Sequence, residues 1–277
     1  MTRKPVVSGV FYPSGKEMLL RTIEDLFLGP LGPGSLPSLK EERMERPYGL
    51  ICPHAGYMYS GQVAAWAYLE VAKYGRPSTV ILVGPNHTGY GPPISVYPSG
   101  YWETPLGKVE VDEQAVQVIL ENSSVAKSDT SAHSMEHSLE VQLPFLQRLY
   151  GSSFKIVAIT MLDQSPKASS DLSKALLRYI TLNPSTLFIA STDLNHYDDH
   201  ESTLKKDSLI IEAIEANDPR MLYSAVYESG VTMCGYGAVA TLMLLEIGKP
   251  RVLKHATSGE VSGDFLEVVG YLSVIYE

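Results

Sequence analysis

Two blocks of the chain, GLICPHAGY and ILVGPNHTGY, share one arrangement: an apolar run, then proline, histidine, a small residue, glycine and tyrosine. They place His54 and His87 33 residues apart, about the length of one βαβ unit. A single histidine after a strand is most often an ordinary loop residue. Two in the same setting point further, because neutral imidazole is the commonest metal-binding side chain and an adjacent glycine lets backbone or substrate come close. A third run, LFIASTDLNHY, repeats the pattern and delivers Asp193 and His196. A carboxylate there could fix the tautomer of an imidazole and adjust its basicity.

Cys234 lies in TMCGYG, just before an apolar helix. A helix N-terminus favours thiolate, the form needed in a metal ligand or a nucleophile. From this segment alone an inert buried cysteine, the usual fate of a lone one, is the stronger reading, and Cys52, inside a strand, reads as core. Glu136 and His137 sit near the start of a helix that Pro144 could delay. Asp198, Asp199 and His200 read as solvated loop. For His133 and His255 chelation, capping and simple exposure all fit.

These residues need elements to bring them together. Apolar runs at Tyr48–Cys52, Thr79–Val83, Lys155–Ile159 and Thr186–Ala190 predict strands. Helical patterns at Glu17–Phe27, Gln62–Tyr74, Glu113–Glu121, Leu139–Tyr150, Ala168–Leu182, Leu204–Ala216 and Gly237–Ile247 alternate with them. The segment Ile94–Val111 reads as a small β-meander, and Val252–Ala256 with Phe265–Ile275 as a C-terminal hairpin. Residues 29–47 are a Pro- and Gly-rich loop. The alternation implies an α/β fold with a mostly parallel central sheet flanked by helices. No linker divides residues 1–277, so a single domain is expected. His54, His87 and the Asp193–His196 run then fall at the carboxyl ends of parallel strands, the edge where open α/β sheets bind ligands.

Composition narrows the partners. The chain has 22 Lys and Arg against 31 Asp and Glu, a net charge of −9 with no basic cluster, so nucleic acid and anionic lipid are disfavoured. No stretch approaches the roughly 20 apolar residues of a membrane span, and the N-terminus lacks the apolar core of a signal peptide. Two cysteines make no disulfide framework, which agrees with a reducing, cytoplasmic setting.

Six ordered blocks, SGVFYP, CPHAGYMYSG, GPNHTG, EHSLEVQLPFL, STDLNHY and MCGYG, resemble the Memo family over essentially the whole chain. The acidic chain is similar to archaeal and bacterial members. That family is similar in fold to the class III extradiol ring-cleaving dioxygenases, whose iron sits on two histidines and a glutamate. The resemblance implies a metal on His54, His87 and Cys234, with cysteine in place of the glutamate. It places His196 as the acid/base histidine, with Asp193 beside it. Iron or copper is implied, and zinc fits the same donors. Exchanging a hard carboxylate for a soft thiolate shifts preference toward copper and zinc and away from oxygen activation at iron.

Three functions follow. The first is a metal-dependent redox protein, an oxidoreductase similar to the dioxygenases, acting on a small molecule. The second is a non-catalytic module that binds metal and a small-molecule or peptide ligand in the same cavity. The third is a cysteine hydrolase, with Cys234 as nucleophile, His196 or a neighbour as base and Asp193 as orienter.

Overall fold

The computed structural model describes residues 1–277. Its strands are β1 (Thr2–Arg3), β2 (Tyr48–Cys52), β3 (Thr79–Pro85), β4 (Ile94–Val96), β5 (Tyr101–Thr104), β6 (Gly107–Val111), β7 (Ala126–Ser128), β8 (Lys155–Met161), β9 (Thr186–Ser191), β10 (His196–Asp198), β11 (Pro250–Thr257) and β12 (Val268–Tyr276). The helices are α1 (Lys16–Leu28), α2 (Tyr57–Val71), α3 (Glu113–Asn122), α4 (Leu143–Tyr150), α5 (Pro166–Ile180), α6 (His200–Glu215), α7 (Pro219–Tyr227), α8 (Tyr236–Leu245) and α9 (Gly259–Ser262). No helix is long and apolar enough to cross a membrane.

One mixed sheet of 12 strands runs through the molecule, so the expected single-domain α/β architecture is present. Its centre, β6-β8-β3-β9-β2, is parallel throughout. β2, β3 and β9 are buried at every residue, which explains why they read as continuous apolar runs rather than alternating ones. β12 extends the sheet antiparallel to β2, and β11 pairs with β12 as the C-terminal hairpin. α2 packs on β2 and β12, and α8 on β3 and β9 with α5 against it. α8 is buried almost all round, as its uninterrupted apolar sequence requires.

Some boundaries differ from those expected. The meander reduces to one hairpin, β5–β6, because β4 instead pairs antiparallel with β8 and parallel with β7. Tyr97 N–H continues that alignment by donating to Ala158 O (3.0 Å), so the Pro98-Ser99-Gly100 turn leads away instead of folding back. α2 begins at Tyr57, five residues before Gln62, directly behind the His54 turn. Tyr-Met-Tyr-Ser-Gly is a poor helix former by propensity, but tertiary contacts override it. Tyr57 N–H donates to Phe11 O (2.8 Å), and at Gly61 a Cβ would stand 2.6 Å from Leu26 Cδ1 of α1. The Asp198–His200 stretch is not free loop. Asp199 caps α6 by accepting the Ser202 N–H (3.0 Å), and Asp198 pairs with Lys206. α7 was not expected. It starts after Asn217, which adopts a left-handed φ of 49°, and Asp218 caps it.

Gly84 shows how tightly the sheet is packed beside the histidine turns. A Cβ there would lie 2.9 Å from both Leu139 Cδ2 and Ser138 Oγ. Gly84→Ala should therefore push the 136–139 segment off β3 and cost about 1–3 kcal/mol in denaturant unfolding. An unchanged midpoint would show that this contact yields freely.

Candidate metal centre

His54, His87, Asp193, His196 and Cys234 all line one cavity of about 490 Å³ at the carboxyl ends of β2, β3 and β9. Phe11 and His137 line it too. A larger cavity, about 770 Å³, opens against Tyr223, Tyr227 and Arg220, but it holds no cluster of histidines or thiols. The smaller one holds the chemistry.

His54 follows Pro53 and is almost fully buried. Its Nδ1 lies 3.0 Å from Ser191 Oγ. That hydroxyl donates its one proton to Ser138 O (2.6 Å) and accepts from Gln142 Nε2 (2.9 Å). Ser191 can therefore only accept from the ring, so Nδ1 carries the proton and Nε2 keeps its lone pair. At His87, Nδ1 lies 2.9 Å from Glu136 Oε1, while the backbone N–H of His87 donates to Oε2 (2.6 Å). Asn86 shapes this turn by accepting the N–H of Thr88 (3.0 Å) and of Gly89 (3.2 Å) on its side-chain oxygen. At His196, Nδ1 donates to Thr232 O (2.9 Å), and a carbonyl can only accept. In all three imidazoles Nε2 is the nitrogen that keeps the lone pair.

The structure brings in a residue that sequence reasoning left without a role. One ligand atom from each of His54, His87 and His137 lies within 4.8 Å of the others. The His137 ring stacks on His87 (centroids 4.7 Å, 16° between planes) and meets His54 edge-on at 5.4 Å. Cys234 Sγ lies 3.2 Å from His54 Nε2 and accepts the Asp193 N–H, also at 3.2 Å. Gly235 seats this turn, since a Cβ there would stand 2.5 Å from Ser191 O. His137 precedes an irregular turn, not a strand end, so no strand-end pattern marks it. Its one sequence signal was the EHS triplet.

Two expectations are corrected. Asp193 does not orient His196, a task taken by Thr232. Its carboxylate instead accepts the His54 backbone N–H (2.8 Å) and so holds the first histidine turn. The helix N-terminus is also outweighed at Cys234. Burial, and then the Asp193 charge, push the Cys234 thiol up. The remaining histidines have plain partners or none. His255 pairs with Asp207 (2.8 Å), and His200 with Thr257 (2.9 Å). His133 is fully buried with no partner on either ring nitrogen.

Burial, then the charges of His137, His87 and His196, push His54 well below its ordinary value, so it stays neutral. Burial raises Asp193 against the His54 N–H and His196 that oppose it. Glu136 is also opposed by burial, but the hydrogen bonds from His87 and Ser138 outweigh that and hold it at about 2. For such a depressed carboxyl the stabilisation is complete above its unfolded value of 4.5 and is lost as pH falls toward 2. Unfolding the metal-free protein should thus show on the order of 3 kcal/mol lost across that interval, and Glu136→Gln should lack the loss. Parallel pH curves for the two proteins would contradict the assignment.

A family model described as "Memo-like protein" matches residues 3–275. A MEMO1 family protein from Thermotoga maritima is 54% identical over 276 residues, 99% of each chain. One from Ignicoccus hospitalis is 47% identical, covering 99% of this chain and 98% of that one. One from Methanobrevibacter smithii is 44% identical over the whole of both. Among solved structures, the uncharacterized protein JW3007 from Escherichia coli K12 superposes with a TM-score of 0.57 at 12% identity, covering 84% of this chain and all of that one. It shares the fold. With its length matched almost end to end, and with the strand-end histidine turns that the resemblance rested on in place, the chain belongs to the Memo family.

Proposed function

We propose that this cavity binds a redox-active metal, iron or copper, and acts on a small molecule. The observation that carries the reading is the convergence of His54, His87 and His137, with one ligand atom each within 4.8 Å of one another. The donors fit such an ion. His54 and His87 present Nε2 lone pairs because Ser191 and Glu136 hold Nδ1, the arrangement that raises a ligating imidazole's basicity. Cys234 Sγ, 3.2 Å from His54 Nε2, would complete the set by giving up its proton, with His137 as the further nitrogen donor. An imidazole–thiolate set suits Cu(I) and zinc as well as iron. Bound there, iron or copper would supply electron transfer.

The chain's own residues supply the rest. His196 keeps its Nδ1 proton on Thr232 O, so Nε2 is free to take or give a proton at a ligand in the cavity. Asp193 anchors the His54 turn, and Phe11, Tyr197 and Val269 supply apolar contacts. Binding without turnover is the second reading, favoured by the exposed Tyr197 ring (73%), which offers a wet-faced contact to a small-molecule or peptide ligand. The hydrolase reading gains a thiol–imidazole contact but loses its chemistry. Burial pushes the thiol up and the imidazole down, so the charged pair that a nucleophile needs is disfavoured.

Anaerobic calorimetric titration with Fe(II) and with Cu(I) tests the reading. His87→Ala should lose about 10–100-fold or more in affinity, and His196→Ala clearly less, failing in turnover instead. Cys234→Ala should weaken Cu(I) more than Fe(II). Equal losses in His87→Ala and His196→Ala, or full Cu(I) binding by Cys234→Ala, would contradict it.

A further inference from the structure

Arg3 lies outside the cavity, yet the segment that carries Glu136 and His137 hangs on it. The side chain is only 6% exposed. Its Nε donates to His133 O (2.7 Å), Nη2 to Glu136 O (2.6 Å) and Nη1 to Glu140 Oε2 (2.6 Å). The guanidinium also sits 4.1 Å from the Trp102 ring centroid. Glu140, fully buried, accepts in addition the N–H of Val6 (2.9 Å), the N–H of Val7 (3.1 Å) and the Tyr12 hydroxyl (2.7 Å). One buried ion pair thus ties residues 3–12 to residues 133–140.

Both tied segments end on the site. Glu136 holds the backbone N–H and Nδ1 of His87. The Phe11 ring lies 4.8 Å from that of His137, and Phe11 O accepts the Tyr57 N–H that opens α2. Stability alone gives weak reason for such a pair, because apolar residues of similar volume often serve a core as well or better. The bonds made here have another character: those to His133, Glu136, Val6 and Val7 all end on main chain, so they fix where backbone runs.

We infer that Arg3 and Glu140 are positioning residues for the metal-binding cavity. They set the main chain at Glu136 so that its carboxylate holds His87 with Nε2 toward the cavity. The inference rests on the proposed metal reading only for its affinity readout.

The test is the double variant Arg3→Met/Glu140→Met, which removes the pair without stranding a buried charge. Nitrogen-15 NMR of the metal-free protein, at a pH where imidazoles are neutral, should show His87 in wild type with a protonated Nδ1 and a bare Nε2. In the double variant the two ring signals should average, and Co(II) affinity should fall at least about tenfold. Asp112→Asn is the control. Asp112 is buried and bonded to Tyr179 and the α3 N-terminus, and it also bonds Thr79 at the far end of β3, roughly 20 Å of strand from Pro85. It should lower the melting temperature and leave the His87 signals and Co(II) affinity alone.

A folded double variant with wild-type signals and affinity would overturn the inference. So would an Asp112→Asn variant that disturbs His87 equally. If the double variant does not fold, Arg3→Lys decides: it keeps the charge but cannot reach all three acceptors, and wild-type His87 signals there would refute the positioning role. If wild type binds no Co(II), the His87 signals alone decide the inference, and the metal reading is judged by its own Fe(II) and Cu(I) titrations.

Discussion

A neutral imidazole carries one proton on two nitrogens, and the cavity depends on which nitrogen holds it. At His54 the choice is made by a serine whose own proton is already given to Ser138 O. At His87 a buried carboxylate makes it, and at His196 a carbonyl. Three different acceptors thus give the same result, a lone pair on Nε2 turned to the cavity, where at His54 its neighbour is the Cys234 thiol 3.2 Å away. That leaves two lone pairs near a thiol, which the proposed metal would use, and a third, which the proposed proton transfer would use.

The fold supplies those acceptors from its interior. Ser191 is the last residue of the fully buried β9, and Gln142, which also bonds to it, reaches Pro53 O beside the first histidine. Parallel strands end together on one edge, so turns distant in sequence face each other with little loop between them. Gly235 brings the Cys234 turn against Ser191 as closely as backbone can come. Each short connection leaves little room for the rings to turn.

Much of this was legible in the sequence, for physical reasons. Strands buried on both faces are unbroken apolar runs, so β2, β3, β8 and β9 could be placed, and with them the edge that carries His54, His87, Asp193 and His196. Cys234 was legible through its place before an apolar helix and through the family blocks. What escaped reading depends on tertiary contact. β4 pairs with β8 instead of its neighbour in sequence, and α2 starts early because Phe11 O and Leu26 accept it there. His137 reaches the cavity from an irregular segment whose path is set by Arg3, more than 130 residues away, and no local pattern encodes that.

The central claim is that the protein fixes Nδ1 of His54 and His87 and offers Nε2. A crystal structure of the protein loaded anaerobically with Cu(I) tests it most directly. The account predicts one ion in the cavity, bonded to Nε2 of both histidines and to Cys234 Sγ, with Nδ1 still on Ser191 and on Glu136. An ion bound through either Nδ1, or bound away from these residues, would contradict it.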